Sequence, residues 1–169
     1  MLRELHQELG IPAGYGDGSG PPAYEEATEL VDVGPNLVGR MQRLTPAAAR
    51  EWARMVEAAA AEGVVLLIVS GFRSVDYQAT LIRKKIEAGQ AITDILTVNA
   101  APGHSEHHTG RAVDIATPGS RPLTEEFEGT PAFRWLEANA GGFGFSLSYP
   151  RDNPFGIMYE PWHWALNTV

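Results

Sequence analysis

Gly103-His104-Ser105-Glu106-His107-His108-Thr109-Gly110-Arg111-Ala112-Val113-Asp114 holds three of the chain's five histidines and ends on an aspartate. Ala112-Val113-Asp114-Ile115-Ala116 reads as a short strand that leaves a loop of His and Gly. A loop of imidazoles running into a strand that bears a carboxylate is an arm that offers a metal two ligands. The same residues also suit a His-bearing surface loop with no metal at all. An imidazole and a carboxylate match zinc, and a catalytic zinc site takes three protein ligands and leaves a position for water.

A third ligand has to come from elsewhere, and the chain offers Tyr159-Glu160-Pro161-Trp162-His163-Trp164. A Glu three residues before a His puts a carboxylate beside a metal without making it a ligand. The competing reading of this stretch is a buried aromatic strand with a solvated Glu. The helical zinc signature His-Glu-x-x-His does not occur, so a thermolysin-type site is excluded. There are no cysteines, which removes disulfides, thiolate nucleophiles and Cys-held zinc together.

Outward from these motifs, local signals divide the chain into elements. Thr45-Pro46 marks a helix start, Ala47 to Glu62 reads as a helix with Trp52, Met55 and Val56 on one side, and Gly63 ends it. Val64-Val65-Leu66-Leu67-Ile68-Val69 is an unbroken apolar run of strand length and predicts a buried strand. Ser74 caps a second helix to about Glu87, with Tyr77, Leu81 and Ile82 at helical spacing and Gly89 closing it. Thr130-Pro131 starts a helix through Asn139, and Phe143 to Trp164 carries the aromatics and turns of a hairpin. Gly10 to Pro22 is dense in Gly and Pro and reads as a loop or lid, followed by a short strand around Leu30-Val31-Asp32-Val33. Helices and strands mix without regular alternation, so the expected class is α+β.

The 169 residues suit one domain, and 44% hydrophobic with 20% charged residues is the profile of a folded chain. A net charge of −8 argues against nucleic-acid binding, where neutralising phosphates supplies much of the affinity, and against anionic membrane surfaces. No stretch approaches the roughly 18 apolar residues of a membrane span. Met1 to Glu8 lacks an apolar signal-peptide run, so the expectation is a cytoplasmic location, with periplasmic or extracellular as the alternative.

Ser105 to Asp114 matches the Ser-x-His-x-x-Gly-x-Ala-x-Asp pattern of the VanY-type D-alanyl-D-alanine carboxypeptidases, zinc peptidases related to lysostaphin-like enzymes and D-Ala-D-Ala dipeptidases. Glu160-Pro161-Trp162-His163 resembles that family's second motif, and Ser70-Gly71-Phe72-Arg73-Ser74 with Gln78 resembles its Ser-Gly-(Tyr/Phe)-Arg-Ser block. Trp135-Leu136 through Asn139, Phe143-Gly144-Phe145 and Ser148-Tyr149-Pro150 resemble the segment between the zinc motifs, so the likeness runs from about Leu44 to Trp164.

The resemblance implies a single α+β domain whose small, mostly antiparallel sheet carries one zinc ion and is flanked by helices. It assigns the metal to His107, Asp114 and His163, the general base to Glu160 and a substrate-facing arginine to Arg73. Ser105 and Gln78 fall at cleft positions. Apart from the resemblance, Tyr159, Trp162 and Trp164 suit an apolar wall around the site, with core packing an equal reading for the two tryptophans. His108 stands where relatives often carry Gln and reads as lying behind the ligands or at the surface; His104 is not a ligand. Residues 1–42 fall outside the likeness as an extension or lid, and 43–169 form the catalytic domain. The implied activity is removal of the C-terminal D-Ala from peptidoglycan stem peptides or muropeptides by a monomer. The alternatives are L,D-carboxypeptidase, D,D-dipeptidase, phage-type endopeptidase or a non-catalytic peptidoglycan-binding module.

Overall fold

Strand β4, Ala112–Ala116, is the axis of the molecule: all five of its residues are buried. The structure, a computed structural model, describes residues 1–18 and 20–168. Among them are five α-helices and six strands, in two antiparallel sheets. The larger sheet sets β4 between β3 (Leu67–Ser70) and β6 (His163–Leu166), with β5 (Phe145–Leu147) beyond β6. Successive strand residues point to opposite faces. Val113, Ile115 and Trp164 turn to the core, while Asp114 and His163 emerge on the other face as direct cross-strand partners. Register alone thus brings together two polar residues 49 positions apart.

The core face is covered by helix α2 (Pro46–Ala61) and helix α5 (Pro131–Asn139). Each begins as a Thr-Pro pair dictates. Thr45 Oγ1 accepts the Ala48 N–H at 3.4 Å and Thr130 Oγ1 accepts that of Phe133 at 3.2 Å, with Pro in the first turn where its missing N–H costs nothing. Ala48, Trp52, Met55 and Ala59 of α2 meet Ala132, Phe133, Trp135 and Leu136 of α5 over Ile115 and Trp164. Trp164 belongs to this core and not to the site wall, its indole N–H donating to the Pro161 carbonyl at 2.9 Å.

A second, smaller core joins the end of helix α1 (Leu2–Glu8) to α3 (Val75–Glu87) and α4 (Ile92–Val98), through Leu9, Ile11, Ala79, Ile82, Ile95 and Ala101. On α3 the buried residues are Gln78, Ala79 and Ile82. The face with Tyr77 and Leu81 lines a cleft instead of the core. Residues 24–27 run beside the His-rich loop. Tyr24 N–H donates to the Gly103 carbonyl and Ala27 N–H to that of His108, both at 2.8 Å, before β1 (Val31–Pro35) pairs with β2 (Met41–Leu44).

The apolar run Val64–Val69 is shorter as a strand than its composition predicts. Only Leu67 onward joins the sheet, and Val65 is 47% exposed. β3 is an edge strand paired only with β4, and its register shifts between Ile68 and Ser70. Phe143 to Trp164 does close as an antiparallel pair, β5 with β6, across a long connection. No helix among the described residues is long and apolar enough to cross a membrane.

Candidate metal site and cleft

His107 sits on a 3-10 turn, Glu106–Thr109, that Gly110 ends at φ +63. A side chain at Gly110 would be strained by that angle and would press on Leu30, Thr45 and Ala27 at 3.0–3.2 Å, which explains the glycine between His107 and β4. The turn is tied to the segment after β3 from both sides. Arg73 N–H donates to the His107 carbonyl at 3.1 Å, and His107 Nδ1 lies 2.7 Å from the Gly71 carbonyl.

That last contact fixes the ring. A carbonyl only accepts, so Nδ1 carries the proton and Nε2 presents a bare lone pair. Burial first, then the nearby Arg73 guanidinium, hold His107 down to about 4, so it stays neutral at pH 7. Its Nε2 is buried with no hydrogen-bond donor among the described residues, yet it faces Asp114 Oδ2 across 3.2 Å. Two acceptors held together out of water are unfavourable unless a cation lies between them. His163 completes the group, with Nδ1 3.1 Å from Asp114 Oδ1. The ligand atoms of His107, Asp114 and His163 all lie within 4.8 Å of one another. Two imidazoles and one carboxylate with an orphaned lone pair fit zinc.

The outer edge of His163 is also engaged: Nε2 lies 2.8 Å from Glu106 Oε2. Burial would lower its pKa, but the hydrogen bonds and charges of Asp114 and Glu106 raise it to about 10, so without metal the ring is an imidazolium held by two carboxylates. Burial works to raise Asp114, but the two histidines outweigh it and keep it well below the usual carboxylate range. Glu160 Oε2 stands 3.4 Å from His163 Nδ1. Burial raises Glu160 to about 7; His163 and Arg73 oppose that shift, while Asp114 and Glu106 reinforce it.

Arg73 reaches in from the other side. Its guanidinium donates to Ser70 Oγ at 3.1 Å, Gln78 Oε1 at 3.0 Å and Asp114 Oδ2 at 3.2 Å. Gln78 is itself pinned, donating to the Ala100 carbonyl at 2.8 Å, so it aims the arginine. Nine of the residues that the sequence nominated line one cleft of about 840 Å³: Arg73, Gln78, Ser105, His107, Asp114, Tyr159, Glu160, Trp162 and His163; Trp164, in the core, does not. Trp162 also packs against the main core, and Tyr159 lies under Arg151, whose guanidinium carbon is 4.1 Å from the ring centroid.

Two participants were not singled out by sequence reasoning. Glu106, within the motif, braces His163; only the pairing of β4 with β6 reveals that partner 57 residues away. Tyr149 is buried with its ring 4.8 Å from that of His163, and burial followed by the Glu106 charge raises its hydroxyl well above the ordinary value. His108 is neither a ligand nor at the surface. It is buried, with Nδ1 2.6 Å from the Arg73 carbonyl and Nε2 accepting the Gly103 N–H at 3.0 Å. His104 is buried apart from the metal group, with Nδ1 2.9 Å from the Pro21 carbonyl.

The VanY family, described as D-alanyl-D-alanine carboxypeptidase, matches residues 41–168. A D-alanyl-D-alanine carboxypeptidase of Enterococcus faecalis is 34% identical over 120 residues, covering 65% of this chain and 43% of that protein. Among solved structures, the LdcB LD-carboxypeptidase superposes with a TM-score of 0.75 at 32% identity, covering 86% of this chain and 71% of the other. A mutant of the vancomycin resistance D,D-pentapeptidase VanY from a VanB-type cassette, in complex with Zn(II), superposes at 0.63 with 28% identity, covering 92% and 81%. The chain spans less than half the length of its Enterococcus faecalis relative. With most of its length matched and a His107–Asp114–His163 group that could hold a metal ion, the chain belongs to the VanY family of D-alanyl-D-alanine carboxypeptidases.

Proposed function

We propose that the chain is a zinc-dependent carboxypeptidase that hydrolyses the C-terminal D-Ala peptide bond of peptidoglycan stem peptides or their precursors. The observation that carries this reading is Glu160, a half-buried carboxylate with its pKa raised to about 7, set 3.4 Å from one member of the His107–Asp114–His163 group. A non-catalytic binding module has no need of such a group.

His107 through Nε2, Asp114 through its carboxylate and His163 through Nδ1 would hold the ion. Bound there, zinc polarises a carbonyl and lowers the pKa of a water to about 7. The chain's own residues do the rest. Glu160, not a ligand, takes the proton of the attacking water on its carboxylate and returns it to the leaving amine; a pKa close to the working pH suits both transfers. Arg73, steered by Gln78, presents its guanidinium to the oxygen that becomes negative or to the substrate's carboxylate. Ser105, Tyr159 and Trp162 line the path of the peptide.

An L,D-carboxypeptidase is the second reading, favoured by the 0.75 TM-score of the LdcB LD-carboxypeptidase. One experiment separates the two. Zinc-loaded protein is incubated with stem tripeptide, tetrapeptide and pentapeptide, and the products are read by mass spectrometry. Loss of alanine from the pentapeptide alone makes it a D,D-carboxypeptidase; loss from the tetrapeptide makes it an L,D-carboxypeptidase. If all three come through intact, the carboxypeptidase reading fails.

A further inference from the structure

Arg40, Arg43, Arg73 and Lys85 all line the cleft, in a chain of net charge −8. Three of these four cations have visible employment. Arg73 is shared among Ser70, Gln78 and Asp114. Arg40 lies over the Tyr77 ring at 4.7 Å and donates to its hydroxyl at 2.9 Å, and Arg43 lies over Phe72 at 5.6 Å. Lys85 differs. Among the described residues it has no carboxylate within ion-pair distance and no aromatic face, only the neutral side-chain oxygen of Asn99 at 2.5 Å. An ammonium has three donors, and Asn99 takes one.

The acids of the cleft are committed elsewhere. Glu106, Asp114 and Glu160 all face His163, and Glu125 pairs with Arg151. Lys85 is instead half-buried beside a like charge: burial, then Arg73, lower its pKa. An anion between the two cations relieves both penalties at once.

Helix α3 sets the spacing. Gln78, which aims Arg73, and Lys85 lie seven residues apart on the cleft face, about 10 Å along the helix axis at 1.5 Å per residue. The ammonium is held on Asn99 Oδ1, on the same cleft wall as Arg73 and near enough to feel its charge. An extended peptide advances about 3.3 Å per residue. A group within two or three residues of a bond held beside the triad therefore falls in reach of Lys85.

We propose that Lys85, oriented by Asn99, is a specificity position that binds a free carboxylate of the substrate peptide. This rests on the peptidase reading and adds to it the charge that the substrate must carry. The carboxylate comes either from the peptide's C-terminus or from an acidic side chain.

The test uses zinc-loaded protein and four pentapeptides, with acid or amide at the C-terminus combined with acid or amide at one side chain. Lys85→Met and Lys85→Arg are compared with the unsubstituted protein by kcat/KM, and by Kd on a Glu160→Gln background. The expected result is an acid-over-amide preference that falls about ten-fold in Lys85→Met, through KM and not kcat, and is largely kept in Lys85→Arg. A fall at the terminal position identifies the terminal carboxylate as the ligand, and a fall at the side chain identifies the other. Equal acid-over-amide ratios in Lys85→Met and the unsubstituted protein, at both positions, would overturn the proposal. If nothing is cleaved, the peptidase reading fails by itself. The Kd ratios still decide Lys85, and unchanged ratios or no binding of any peptide count against it.

Discussion

Glu106 and Asp114 grip opposite edges of the same ring: Glu106 Oε2 lies 2.8 Å from His163 Nε2, and Asp114 Oδ1 lies 3.1 Å from Nδ1. This pairing leaves Nδ1, not Nε2, to serve a bound metal and would raise its basicity, as an outer carboxylate does for metal-ligating histidines. Glu106→Gln is therefore expected to weaken zinc about 10- to 100-fold while the fold stays intact. Competition with a metal-sensitive dye measures this directly. Unaltered affinity would mean that Glu106 does not orient the ligand.

The metal-free site makes a second, thermodynamic demand. His163 is raised to about 10 against an ordinary value of 6.5, so at pH 7 it carries a proton that the metal must displace. Titration calorimetry at pH 7 in buffers of different ionisation enthalpy should show release of about one proton per zinc. The sign for stability follows. A raised folded-state pKa gives stabilisation that is complete below 6.5 and is lost as pH climbs toward 10. His107, lowered to about 4, acts only as pH falls below 6.5, and Glu160, raised to about 7, acts mainly below 7. Between pH 7 and 9 the Tm of the EDTA-treated protein should therefore fall, while zinc affinity rises. A flat Tm across that window would show that His163 is neutral in the metal-free fold.

Glu160 separates binding from turnover. It stands near the triad without belonging to it, so Glu160→Gln should keep one equivalent of zinc and lose about 10²- to 10⁴-fold in kcat. His163→Ala should lose zinc and activity together. Elemental analysis beside a turnover assay checks both variants, and full activity in Glu160→Gln would remove it from the proton-transfer role.

The candidate triad was assigned by resemblance, on motifs compact enough to read locally: loop, glycine and strand lie within one dozen residues, and the second motif is equally compact. Ring orientation was not legible. The Gly71 carbonyl that fixes His107 is 36 residues away, and the partner of Glu106 lies across a strand pairing that no local pattern reports. Helices α2, α3 and α5 announced themselves through Thr-Pro and Ser caps at Thr45, Ser74 and Thr130. Helices α1 and α4 carry no side-chain cap, and their apolar residues are buried in a small cluster built with Ala79 and Ile82 of α3, so little local marked them. The run Val64–Val69 looked uniformly buried because composition does not show which residues still have a neighbouring strand; only those opposite β4 do.

His108 offers a final test, of a residue that holds the site without touching the metal. Its ring bridges two backbone groups: Nδ1 donates to the Arg73 carbonyl and Nε2 accepts the Gly103 N–H. It thereby locks the loop that carries Arg73 to the loop that carries His107. His108→Ala leaves both groups unpaired in a buried space, at about 1–3 kcal/mol each, which corresponds to a Tm lower by roughly 5–15 °C for a chain of this size. A glutamine amide offers an N–H donor and a carbonyl acceptor at its two ends, so His108→Gln should recover much of that loss. Because the ligands remain in place, zinc affinity in His108→Gln should change far less than kcat/KM, which depends on where Arg73 points. Calorimetric melts of both variants, with zinc binding measured in parallel, decide the matter. If alanine melts like the unsubstituted protein, the bridge does not hold the loops. If glutamine is as damaging as alanine, the ring contributes through its packing and not through its two hydrogen bonds.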